Sequence, residues 1–125
     1  MSTAIRILAA LPGLLMLMLG LRGTFDPAGA AKEMGMPLLD GLGRSTQIGD
    51  LSAFFLVTAA IIALGVIGQK RHWLQASALL IGGVAVMRTV AWAFHGADFA
   101  TEAIAAEVIM TAVLIFAASK APAGA

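Results

Sequence analysis

The sequence predicts an all-α integral membrane four-helix bundle with a short interfacial helix in the first outer loop. Three observations predict it. Of its 125 residues, 60% are hydrophobic and 12% are charged, against about 45–50% and about 25% in soluble domains. The apolar residues gather in four runs near the roughly 20 residues that cross a bilayer. The charged residues lie mostly between those runs, with three conspicuous exceptions taken up below. So few polar side chains could not cover a globule in water, whereas apolar side chains facing acyl tails carry no such penalty.

The rest of the composition narrows the function classes. There is no Cys, which removes disulfides, thiolate catalysis and Cys-ligated metals. A net charge of +1 without a basic stripe gives no reason to expect a nucleic-acid partner. The length suits a single transmembrane domain over residues 1–125. Seven Met and fourteen Gly suit gap filling and close helix contact.

The first membrane helix is expected over residues 5–21, between Arg6 and Arg22, whose charged heads can snorkel to the interfaces. Pro12-Gly13 inside it reads as a tolerated kink. A signal peptide cleaved after Ala28-Gly29-Ala30 is the rival reading. Arg22 and the Thr24-Phe25-Asp26-Pro27 turn separate that site from the apolar run, and further membrane segments follow.

Asp26-Pro27 reads as an N-cap followed by Pro at the first helical position, opening a short interfacial helix that stops near Met36-Pro37. Gly41, Gly43 and Ser45 then mark a turn into the second membrane helix, expected over 48–67. Gln69-Lys70-Arg71-His72 is a basic turn. Trp73 opens the third helix, 73–94, as an interfacial aromatic. His95-Gly96-Ala97-Asp98 closes it, and the fourth helix runs over 101–119.

Four spans put both termini on one side. That side carries Arg6, Lys70, Arg71 and Lys120, against Arg22, Lys32 and Arg44 on the other. The four-to-three balance of bases favours a cytoplasmic N-terminus and C-terminus.

Asp50, Arg88 and Glu107 stand out among the ionisable residues of the spans, where a central charge costs at least about 2.5–3.5 kcal/mol and rarely faces lipid. All three fall in the outer half. Arg88, Trp92 and His95 recur at i, i+4 and i+7 and share a helix face. Asp98 and Glu102 stand at the same mouth, and the inner half carries no charge. Two readings of this polar centre compete. Arg88 and Glu107, with Asp50 as a possible third member, form an interhelical ion pair that only fixes register, or they line a pocket for a lipid head group, quinone or other small amphiphile. The structural reading ranks first. A proton pathway ranks below both, because nothing titratable continues it inward.

His72 and His95 are expected on opposite membrane faces, so joint ligation of a metal or haem within one monomer is not expected. No nucleophile elbow, HExxH or paired-carboxylate spacing is present. Gly82-Gly83, Gly13/Gly20 and Gly65/Gly68 read as helix-contact positions.

Four stretches, LGLRGTFDPAG, GRSTQIGDLSAFFLVTAAIIALG, GGVAVMRTVAWAFHG and AAEVIMTAVLIF, carry a resemblance to small bacterial four-helix membrane proteins of the DoxX-like group, in a branch of unknown function. The resemblance implies the four-helix fold, the bacterial inner membrane, and importance for Arg88 and Glu107. At the entry to helix two the chain departs from that branch, with Arg44, Thr46 and Asp50 where an acid followed by Arg is frequent. The resemblance supplies no reaction, and it names no cofactor.

The function expected first is therefore a non-catalytic membrane protein, binding a lipophilic small molecule or serving as an accessory subunit of a larger complex. Arg88 and Glu107 form its polar centre, Asp50 assists, and Trp92 and His95 line the mouth. Membrane lipids, a larger complex or a homo-oligomer are the expected partners. A small oligomeric transporter subunit is the second reading. A membrane enzyme on a lipid or quinone, with Glu107 or Asp50 as general acid or base, is the third. It ranks last because a cation beside a carboxylate favours the ionised form over the proton-carrying one.

Overall fold

The computed structural model describes residues 1–124. Among these it has five helices and no strand: α1 (Thr3–Phe25), α2 (Pro27–Glu33), α3 (Gly41–Ile67), α4 (Arg71–His95) and α5 (Thr101–Lys120). All but α2 are long and apolar enough to cross a membrane. The chain divides into two compact units, one of Leu11–Ala60 and one of Met1–Ala10 with Ile61–Ala125.

In the unit of Leu11–Ala60, the break after α1 follows from one dipeptide. Pro27 disfavours helical backbone at the residue before it, and Asp26 takes φ −138° and ψ 66°. The Asp26 side chain then accepts a hydrogen bond from the Gly29 amide at 3.2 Å, capping α2 as expected from the sequence. Upstream, α1 runs through Pro12 without interruption.

The far end of α2 closes in a Schellman motif. Gly35 takes φ +78°, its amide donates to the Lys32 carbonyl at 3.0 Å, and the Met36 amide donates to the Ala31 carbonyl at 2.9 Å. Helix α2 therefore stops at Glu33, a few residues before the Met36-Pro37 boundary the sequence suggests. Glycine also sets the approach of α1 to α3 within this unit. A Cβ on Gly20 would lie 2.6 Å from Leu56 Cδ2 and 3.1 Å from the Leu56 backbone nitrogen.

The start of α3 differs most from expectation. Residues 41–47 are helical and not a turn, so α3 begins two turns before the apolar run at Ile48. The Arg44 amide donates to the Asp40 carbonyl at 3.2 Å, and the Arg44 side chain bonds Leu39 O at 2.7 Å and the Asp40 carboxylate at 3.1 Å. Gln47, buried in the next turn, accepts from the Leu39 amide at 2.9 Å and donates to Pro37 O at 3.0 Å. Polar side chains sustain this part of the helix, so hydropathy alone did not mark it.

In the other unit, α4 and α5 run antiparallel. Gly82 lets them approach, since its Cβ position would lie 3.2 Å from Thr111 Cγ2. Gly65 does the same for α3 against α4, with 2.7 Å to Leu74 Cδ2. Ile62, Leu74, Ile81 and Leu114 are fully buried here. The chain turns from α3 to α4 through Gln69, a non-glycine residue at φ +51°.

Two arginines finish helices other than their own. Arg6, in the first turn of α1, donates to Val66 O at 3.2 Å and Ile67 O at 3.4 Å, the last carbonyls of α3. Arg71, the first residue of α4, donates to Ala118 O at 3.1 Å and Ala121 O at 2.8 Å at the end of α5. Carbonyls in a last helical turn have no partner within the helix and carry partial negative charge, and the guanidinium answers both needs. The Met1 ammonium joins the same end, donating to Gln69 Oε1 at 2.7 Å.

Candidate functional site

Residues seven apart fall on nearly one face of a helix. On α4 that spacing joins Leu74, Ile81 and Arg88. On α5 and its C-cap it joins Ala121, Leu114 and Glu107. Leu74, Ile81, Leu114 and Ala121 are buried, so the antiparallel pairing lays two apolar stripes together and ends them on a charged pair. Arg88 and Glu107 stand where the next apolar layer would be.

Arg88 Nε lies 3.1 Å from Glu107 Oε1 and 3.0 Å from Glu107 Oε2, so one nitrogen serves both carboxylate oxygens. The Glu107 side chain is 12% exposed and that of Arg88 is 40% exposed. A bidentate fork would use two guanidinium nitrogens. Here Nη1 and Nη2 of Arg88 have no hydrogen-bond partner among the described residues. The α5 backbone beneath the carboxylate is held by Thr111, whose hydroxyl donates to Glu107 O at 2.7 Å. On α4, Thr89 Oγ1 donates to Ala85 O at 2.9 Å.

Trp92 follows Arg88 by one turn and meets Phe99 edge-on, with ring centroids 5.1 Å apart. Phe99 lies in the α4–α5 connection, whose direction Gly96 sets: at φ +68° it ends α4 and returns its amide to Ala91 O. His95 is exposed at the last position of α4, and Glu102 is exposed in the first turn of α5. Counting about 1.5 Å per residue, Arg88 is about 10 Å from the end of α4 and Glu107 about 9 Å from the start of α5.

The sequence-predicted residues thus divide. Arg88 and Glu107 are in contact, and Trp92 stands a turn away with His95 at the rim. Asp50 belongs to the other unit, is exposed, and enters none of the ion pairs among the described residues. His72 and His95 sit in the first and last turns of α4, about 35 Å apart by helical rise. Among the described residues no group of three His, Cys, Asp or Glu could hold a metal ion.

Sequence reasoning treated Arg6 and Arg71 only as interfacial charges and gave Thr111 no role. A basic residue in a first turn says nothing of a neighbouring helix's end until the helices are paired. The Gly82-Gly83 dipeptide also splits: Gly82 makes the helix contact, while a Cβ on Gly83 would meet nothing within 4 Å.

Compared with known proteins, the chain matches no family model, no curated protein and no solved structure.

Proposed function

We propose that this is a multi-pass membrane protein, without catalytic activity of its own, that binds a small amphiphile at Arg88 and Glu107. Large apolar side chains on the outside of its long helices support the membrane setting: Met18, Val57, Leu79 and Ile109 are each more than half exposed. Water would penalise such surfaces and hydrocarbon does not. The basic end formed by Met1, Arg6, Lys70, Arg71 and Lys120 contains no acid, which favours a cytoplasmic N-terminus and C-terminus. A place in the bacterial inner membrane, among DoxX-like proteins, remains part of this reading on the strength of the four sequence stretches alone.

One observation carries the binding function. Arg88 is neutralised by Glu107 through Nε and keeps two nitrogens without partners, about 10 Å inside an apolar helix. A structural ion pair gains most when every donor is satisfied. A guanidinium held from one side and open on the other suits a carbonyl, carboxylate or phosphate oxygen. Trp92, one turn along the same face of α4, supplies apolar surface near the mouth. The amphiphile is an anionic or carbonyl head group on an apolar body.

Mass spectrometry of the protein extracted gently from its membrane, beside Arg88→Lys and Arg88→Ala, tests this. Lys keeps the charge and loses the fork. We expect a small molecule on the wild type that both variants lose. A co-purifying subunit lost in the same way would assign the fork to a protein partner. A wild type that is stable, bare and indistinguishable from the variants would leave Arg88 and Glu107 as scaffolding only.

A further inference from the structure

On their outer side α4 and α5 enclose an open groove of about 1110 Å³. All of its lining lies in one compact unit. The floor is made by small residues, Ala78, Gly82 and Gly83 on α4 and Ala112 on α5, between walls that include Leu79 and Ile115. Arg88 and Glu107 do not line it, so the groove is separate from the polar centre described above.

The groove is asymmetric along its length. It extends on α4 from Arg71 to Met87, about 24 Å by helical rise, which suits an extended fatty-acyl chain. Its polar lining gathers at the Arg71 end, with Gln75 one turn further along and Ser119 on α5. Arg71 spends Nε and Nη2 on the carbonyls of Ala118 and Ala121, and Nη1 has no partner among the described residues. Lys70 and Lys120 are exposed at the same end. Beyond the first turns the lining is apolar except for Thr111, whose hydroxyl is already engaged with Glu107 O.

A cation at the mouth of a long apolar trough is the complement of one kind of molecule. We infer that the α4–α5 groove seats an acyl chain of an anionic phospholipid, with its phosphate beside Arg71. The lipid belongs to the leaflet on the side of Arg6, Lys70 and Lys120. The inference rests on the chain spanning a membrane, but not on any ligand at Arg88. Gly83 is the structural reason that the trough stays open. Its Cβ position is unobstructed, so a larger side chain there fills the groove without striking the protein.

The test reconstitutes the protein in phosphatidylcholine vesicles containing a minor share of phosphatidylglycerol with a photoreactive acyl chain, and maps the labelled residues by mass spectrometry. Labelling should concentrate on Val86 and Ile115, 61% and 56% exposed, relative to Leu14 and Met18 on α1, 54% and 59% exposed. Replacing the probe by a photoreactive phosphatidylcholine should lower groove labelling about five-fold, the preference one basic side chain confers at a lipid surface. Gly83→Phe should lower it at least as much. Gly49→Phe, on α3 and also unobstructed, should leave it unchanged.

Even labelling of groove and α1, or labelling untouched by Gly83→Phe, overturns the site. Equal labelling by the two probes overturns the anionic head group. Crosslinks joining the grooves of two chains, lost in Gly83→Phe, would give the groove to a second copy and overturn the lipid. Flotation of the protein with the vesicles checks the membrane setting separately, and a protein that fails to float overturns both readings.

Discussion

Glu107 receives both of its side-chain hydrogen bonds from a single nitrogen of Arg88, at 3.1 and 3.0 Å. The geometry ties α4 to α5 while leaving most of the guanidinium uncommitted. In the proposed reading, anchoring and binding fall to different nitrogens of one side chain, and substitutions can separate them.

Arg88→Lys should preserve folding to within about 1 kcal/mol, because an ammonium can still meet the Glu107 carboxylate. Arg88→Glu or Glu107→Arg alone should destabilise by about 3 kcal/mol or more, by placing like charges together within packed helices. The double exchange should recover most of that loss. Unfolding titrations in mild detergent measure all four proteins, and a double variant no more stable than either single change would remove the pair from the forces holding α4 to α5.

Leu114→Ala should cost about 2–5 kcal/mol, since Leu114 is fully buried between the stripes and its removal leaves a cavity. The neighbouring Ile115→Ala, on the exposed groove wall, should cost under about 1 kcal/mol. The contrast between consecutive residues checks the rotational setting of α5, and equal losses would mean that the setting is wrong.

Gly65→Val should destabilise by about 1–3 kcal/mol through overpacking. Its Cβ would come within 2.7 Å of Leu74 Cδ2 and 3.1 Å of the Leu74 backbone nitrogen, and the second of these atoms cannot rotate away. Gly83→Ala, with no neighbour within 4 Å, should be neutral or slightly stabilising in the helix. Thermal denaturation of the two purified variants decides between contact and open space at these positions.

Gln47→Met keeps the length of the side chain and removes its hydrogen bonds to the α2–α3 connection. Two backbone groups, Leu39 N and Pro37 O, lose their side-chain partner, for a cost of about 1–3 kcal/mol. Hydrogen exchange should accelerate first at the Leu39 amide, before α3 itself opens. Unchanged protection at Leu39 would show that Gln47 does not hold the connection.

These residues also show what the sequence alone could reveal. The Asp26-Pro27 cap was legible because it is local: the proline acts on the residue before it, and the carboxylate reaches an amide three positions on. Arg88 and Glu107 were legible as a pair because charge inside an apolar helix demands compensation and few groups could supply it. Asp50 satisfies the same rule, and it lies on an exposed part of α3. The start of α3 at Gly41 was missed because hydropathy reports where side chains meet hydrocarbon, while helices continue wherever their carbonyls and amides find partners. The role of Gln47 and the groove over Gly83 depend on segments folding back or lying side by side, which no single window of sequence contains.

The arginine caps carry a consequence for the order in which the chain can assemble. Arg6 precedes the Val66 carbonyl it holds by 60 positions, and Arg71 precedes those of Ala118 and Ala121 by 47 and 50. During synthesis each guanidinium therefore emerges long before its acceptor exists. Its bond forms only when the last turn of the later helix arrives. The clasp on α3 can close while α4 is still being made. The clasp on α5 closes only after Ala121 has left the ribosome, which makes completion of that final turn the event that locks the second helix pair.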